Sequence, residues 1–89
     1  MSVDNTRKKI DAIDAKILEL LNDRAKASKV IGKIKIQKGQ SIYAADREKA
    51  VLDRLKSLNQ GPITAQAIEA IYREVMSSSI SLEKTVRIA

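Results

Sequence analysis

The stretch VDNTRKKIDAIDAKILELLNDRAKASKVIGKIKIQK, running from Val3 to Lys38, decides the architecture. Val3, Ile10, Ile17 and Ile31 fall on a seven-residue repeat, and Ile13, Leu20, Ala27 and Ile34 form a companion row three residues on. That is the pattern of one long helix with an apolar seam. The seven-step row breaks once, at Arg24. Two local features oppose the helix: Gly32, which costs about 1 kcal/mol against alanine, and Ile34-Lys35-Ile36, whose alternation and β-branching also fit a strand. A helix over residues 4–38 is about 50 Å long. A globule of this chain length has a radius of gyration of about 12 Å, a sphere roughly 31 Å across. One copy cannot cover such a seam. Two antiparallel copies, each burying the overhanging half of the other's first helix, predict an intertwined homodimer.

Beyond the long helix, Gly39 stands in the polar stretch Lys38 to Ser41, and Gly61-Pro62 follows Asn59-Gln60. These breaks divide the chain into three segments. A short helix over about 44–58 places Val51, Leu52, Leu55 and Leu58 on one face, extended by Arg47 and Glu48. A third helix over about 64–85 begins after Pro62 with Thr64 as a plausible N-cap. It carries Ile68, Ile71, Tyr72, Val75, Ser79, Leu82 and Val86 at three- and four-residue spacing. The expected fold class is all-α: three helices, one very long, one short and one medium, in a single domain over 1–89.

Composition narrows the chemistry. The 89 residues include no cysteine, no histidine and only two aromatics, Tyr43 and Tyr72. Disulfides, thiolate nucleophiles, Ser-His-Asp triads and the usual zinc ligands are therefore excluded, and base-stacking platforms are disfavoured. Seventeen Lys and Arg against eleven Asp and Glu give a net charge of +6, which favours an anionic partner. No apolar run reaches membrane-spanning length, and the N-terminus lacks a signal-peptide core. The expectation is a cytoplasmic protein without membrane contact.

Each helix carries polar residues inside its apolar face. Arg24 and Lys35 lie eleven residues apart, about 20° of rotation and roughly 16 Å of rise, with Ser28 and Ile31 between them. Arg47 and Glu48 open the second helix; Ser79 and Glu83 lie one turn apart on the third. Taken singly, long basic side chains often snorkel to solvent, and an exposed pair at a helix start is usually solvated. Taken together, three cations, a hydroxyl and two carboxyl groups suit a small polyanion that also bears hydroxyl or ether oxygens. Lys26, Lys29 and Lys33 occupy another face. With Lys38 they support the rival reading, a basic module binding nucleic acid; a purely structural dimerisation module is the third.

These residues resemble the all-helical chorismate mutases, the AroQ class. The resemblance runs through Arg7-Lys8-Lys9-Ile10-Asp11-Ala12-Ile13-Asp14, Ile17-Leu18-Glu19-Leu20-Leu21-Asn22-Asp23-Arg24 and Ile31-Gly32-Lys33-Ile34-Lys35. It continues in Asp46-Arg47-Glu48 with Val51-Leu52, and in Ile71-Tyr72-Arg73-Glu74-Val75-Met76-Ser77. It implies the rearrangement of chorismate to prephenate, a step toward phenylalanine and tyrosine that needs no metal, redox cofactor or nucleophile. It further implies a homodimer and no nucleic-acid partner. Arg24 would pair with a substrate carboxylate, Lys35 would donate to the ether oxygen, and Glu48 would accept from the ring hydroxyl. Arg47 and Ser79 would support a carboxylate, and Arg7 would enter from the other subunit. Arg7 and Arg24 of one helix are roughly 25 Å apart along its axis and cannot grip one small molecule. Ala44 stands where some members carry aspartate, but the implied contact is made by its backbone amide.

The closing Val86-Arg87-Ile88-Ala89 is similar to the string that leads into prephenate dehydratase in fused enzymes, implying an excised mutase domain. Glu83 occupies a position of glutamine or glutamate. Glutamine donates a hydrogen bond at any pH, whereas glutamate donates to an ether oxygen only when protonated. Burial opposes its ionisation and neighbouring cations promote it, and the sequence leaves that balance open. With the protonated form as the active one, kcat/KM falls as pH rises and Glu83→Gln relieves the fall. A flat parent profile between about pH 5 and pH 9 contradicts this expectation.

Overall fold

The structure, a computed structural model, describes residues 2–41 and 44–85, with side chains to Glu83. Three helices follow in order: α1, Val3–Gln37; α2, Ala45–Leu58; and α3, Ala65–Thr85. No strand occurs among the described residues, as the all-α expectation requires. The helix α1 runs unbroken through Gly32 and Ile34-Lys35-Ile36. Gly32 lies against α3 at Glu83, whereas Ile34 and Ile36 stay 44% and 37% exposed; the local strand pattern yields to propagation of the helix that precedes it.

Local chemistry accounts for the ends. The Ser2 hydroxyl accepts from the Asn5 amide at 3.0 Å, an N-cap with Asp4 in the first turn complementing the helix dipole. At the other end Gly39 adopts φ 68°. The Lys38 amide reaches Ile34 O and the Gln40 amide reaches Lys35 O at 2.8 Å, so the last carbonyls are satisfied around a left-handed glycine. The α2–α3 turn is held by Asn59, whose side chain donates to Ile63 O at 2.8 Å and accepts from the Gly61 amide at 2.9 Å. Thr64 caps α3, its hydroxyl accepting from the Ala67 amide at 3.1 Å. The Gly61-Pro62 bond is cis.

The third helix is the element that packs on both of the others. Its buried apolar residues are Ile68 and Met76, with Tyr72, Val75, Ser79 and Leu82 half-buried between and beyond them. Ile71, expected on the same face, is 50% exposed. Val86, also expected there, lies outside the described residues. Among α2's apolar residues Val51, Leu52 and Leu55 are half-buried, while Leu58 is exposed.

The chain measures 55 × 28 × 15 Å with a radius of gyration of 16.2 Å, well above the roughly 12 Å of a compact globule of this length. The N-terminal half of α1 is the overhang: Ile10, Ile13, Ile17, Leu18 and Leu20 are between 48% and 61% exposed.

An ion-pair cluster ties α2 to α3. Glu69 accepts from Lys56 at 3.1 Å and from Arg73 one turn along. The Arg73 hydrogen bond, followed by Lys56, holds the Glu69 carboxyl below the usual carboxylate range. A lowered folded-state value stabilises above the unfolded carboxylate's value, and the benefit is lost as pH falls through the lowered one. The pairs are solvent-screened, so the effect is small. Glu69→Gln should lower Tm slightly at neutral pH, and the gap from parent should close in strongly acidic buffer. A gap that persists at acid pH would assign the effect to something other than these pairs.

Candidate active site

One cleft gathers the polar residues singled out in the sequence. It has a volume of about 510 Å³ and is walled by all three helices. The first helix contributes Arg24, Ala27, Ser28, Ile31 and Lys35; the start of α2 contributes Ala44, Arg47, Glu48 and Val51; α3 contributes Met76, Ser79, Ile80 and Glu83. Thus Arg24, Lys35, Ala44, Arg47, Glu48, Ser79 and Glu83 share one site. Arg7 does not line it and is exposed, far along α1.

Helical spacing explains the convergence. Arg24, Ser28, Ile31 and Lys35 recur at three- and four-residue intervals and so present one stripe of α1. Ser79 and Glu83 do the same on α3, with Met76 one turn earlier. Lys26, Lys29 and Lys33 are exposed and lie roughly 100–160° around α1 from Ser28, turned away from the cleft.

Arg24 is half-buried and does not snorkel. Its Nη1 donates to Ser79 Oγ at 2.5 Å, and its Cζ lies 5.9 Å from the centre of the Tyr72 ring. Ser79 Oγ in turn donates to Val75 O, one turn back, at 3.0 Å. The hydroxyl proton is thereby committed to α3, and an oxygen lone pair is left for Arg24. Lys35 and Glu48 are half-buried, Arg47 is exposed, and Ser28 and Glu83 are each 7% exposed.

The base of the cleft depends on a residue whose role the sequence did not disclose. A Cβ on Gly32 would lie 3.0 Å from Glu83 Cα and 3.1 Å from its Cβ. Glycine here permits backbone-to-backbone approach of α1 and α3 beside the buried Glu83. Its composition-level signal was only a helix penalty. Of the other lining residues, Val51 read only as part of the apolar face of α2, and Met76 and Ile80 carried no signal of their own.

Ala44 precedes α2 without a side-chain cap. The Glu48 amide already bonds to Ala44 O at 3.1 Å, so the amides ahead of it have no partner within the helix; of this first turn Ala44, Arg47 and Glu48 line the cleft. Backbone donors at the start of α2, three cations, two hydroxyls and two carboxyl groups on partly apolar walls form a site that can pair carboxylates, accept from a hydroxyl and donate to an ether oxygen. No group of metal-ligating side chains occurs among the described residues.

An all-helical fold with this cleft defines a small-polyanion site on a bundle scaffold. The chain belongs to the type II chorismate mutase family, whose model matches residues 6–84. A bifunctional chorismate mutase/prephenate dehydratase of Aquifex aeolicus is 41% identical over 87 residues, covering 93% of this chain and 24% of that protein. A chorismate mutase structure from Thermus thermophilus superposes with a TM-score of 0.90 at 29% identity, covering 92% of this chain and 93% of that one. Another, from Helicobacter pylori in complex with prephenate, gives 0.86 at 27% identity, with 94% and 91% covered. The chain spans about a quarter of the length of the bifunctional relatives it matches.

The helix approach at Gly32 yields a test. Alanine gains about 1 kcal/mol of helix propensity, but its methyl meets backbone, where overpacking costs about 1–3 kcal/mol. Gly32→Ala should leave far-ultraviolet helicity unchanged and lower Tm by several degrees, as the overpacking outweighs the gain in propensity. A Tm at or above that of the parent would show that the close approach does not constrain the crossing.

Proposed function

We propose that this chain catalyses the rearrangement of chorismate to prephenate, in the route to phenylalanine and tyrosine. The observation that carries the reading is the meeting of Arg24, Lys35, Glu48, Ser79 and Glu83 around one cleft in a chain of this family. The reaction is unimolecular: the ether C–O bond breaks as a C–C bond forms, with no atom gained or lost. The site's work is to hold the compact chair-like conformer and to stabilise the charge growing on the departing oxygen.

In this reading Arg24 and Arg47 pair with substrate carboxylates, and Ser79 supports one of them. Glu48 and the Ala44 amide engage the ring hydroxyl. Lys35 donates to the ether oxygen, where a preformed donor is most effective, and the buried Glu83 lines the same cleft. Such donors act only as charge develops, so they lower the barrier more than they tighten ground-state binding.

The site is completed by Arg7 of the partner subunit in an antiparallel homodimer. The support is physical. The described part of the single chain buries only Ile68 and Met76 among its apolar residues, too little to stabilise a domain alone. The exposed apolar rows of α1 supply the missing surface. In the longer protein this domain is joined to a C-terminal prephenate dehydratase domain, by analogy with the bifunctional relatives. The cytoplasm is the compartment we assign to it. No described helix is long and apolar enough to cross a membrane.

Loss of chorismate absorbance measures the activity directly. The parent protein should turn over chorismate; Lys35→Ala should lower kcat by about 10²–10³-fold, and Arg24→Ala should lower kcat/KM by about 10²-fold, mainly through a raised KM. Inactive parent protein would overturn the assignment. Mixing inactive Arg7→Ala subunits with inactive Lys35→Ala subunits should restore about a quarter of parental activity, because half of the dimers carry one intact site. Verified exchange without recovery would rule out the shared site.

A further inference from the structure

Tyr72 stands on α3 two turns before Ser79 and is absent from the cleft lining. Its ring nevertheless meets the side chain on which the proposed activity depends. The Arg24 guanidinium carbon is 5.9 Å from the ring centre, within the range of about 6 Å over which an aromatic quadrupole attracts a cation. Ser79 Oγ accepts from Arg24 Nη1, and Ser79 is itself fixed by its bond to Val75 O. Both restraints therefore come from one helix.

Their division of labour follows from geometry. A single hydrogen bond fixes one nitrogen of a guanidinium but leaves its plane able to turn about that contact. An aromatic neighbour restricts the turn. Arginine pairs best with a carboxylate through two parallel N–H donors, and this requires both donors to lie in the carboxylate's plane. We propose that Tyr72 is a positioning residue for Arg24: its ring restrains the guanidinium so that the donors not used by Ser79 reach the substrate carboxylate as a fork. The proposal rests on the mutase reading for its substrate, but the restraint itself is a property of the ligand-free protein.

The test has a spectroscopic and a kinetic readout, both on the full chain. In ligand-free protein, NMR of the arginine side chains should show the Arg24 resonances displaced by the ring current of residue 72. They should stay displaced in Tyr72→Phe and return to ordinary positions in Tyr72→Leu. In chorismate turnover Tyr72→Leu should raise KM about tenfold with kcat within about threefold of parent, because a carboxylate grip acts on ground and transition states alike. Tyr72→Phe should restore KM to within about threefold of parent. Phenylalanine at 72 with a progressively fluorinated ring keeps the shape while draining the ring's face. KM should climb along that series if the attraction to Arg24 matters, and this arm decides the question if Tyr72→Leu fails to fold.

Arg24 resonances indifferent to loss of the ring would overturn the proposal, as would a KM indifferent to fluorination. A parent protein that ignores chorismate would defeat the mutase assignment alone, and the Arg24 resonances would still decide the role of Tyr72.

Discussion

The crossing of α1 and α3 at Gly32 is the constraint from which the site follows. Because nothing but hydrogen projects from Gly32, the backbone of α3 at Glu83 lies against α1. The four- and seven-residue spacings then place Ser79 opposite Arg24, on the stripe that also carries Ser28 and Lys35. A bulkier residue at the crossing would separate the helices there, and the polar groups would lose their common cleft. The glycine's intrinsic helix penalty of about 1 kcal/mol is the smaller effect beside that geometry.

Half-burying a cation on an apolar stripe is costly unless its donors are met. Arg24 is met from α3 by the Ser79 hydroxyl and by the Tyr72 ring, both neutral. Neutral partners stabilise the guanidinium without cancelling its charge, so its attraction for an anion in the cleft is retained. A carboxylate in place of Ser79 would have formed an internal ion pair, and an incoming anion would then have had to compete with it.

Much of this was legible in the residues. The seven-step rows of α1, the glycine after Lys38 and the Thr64 cap are local signals with local causes, and the helices follow them closely. Arg24, Lys35, Ser79 and Glu83 stood out because polar groups interrupt apolar stripes. What stayed hidden depends on neighbours distant in sequence. Gly32 looked like a weakness because its cost is intrinsic while its benefit lies fifty-one residues away at Glu83. Tyr72 read as core because periodicity reports a face and not the atom that meets it. Ile71 kept the period yet stayed half exposed, since the face that α3 buries within one chain is narrower than its apolar stripe.

The second helix is built unlike its companions. It has no fully buried residue and no side-chain cap at Ala44, and Lys56–Glu69 is its ion pair to α3 among the described residues. Local stability tracks buried contacts, so this wall of the cleft sits at the soft end of the molecule while the α1–α3 floor sits at the firm end. Arg47 and Glu48 ride on the soft wall; Arg24 and Ser79 belong to the floor. An outward breathing of this one short helix would therefore open the cleft at small cost while leaving Arg24 and Ser79 in place.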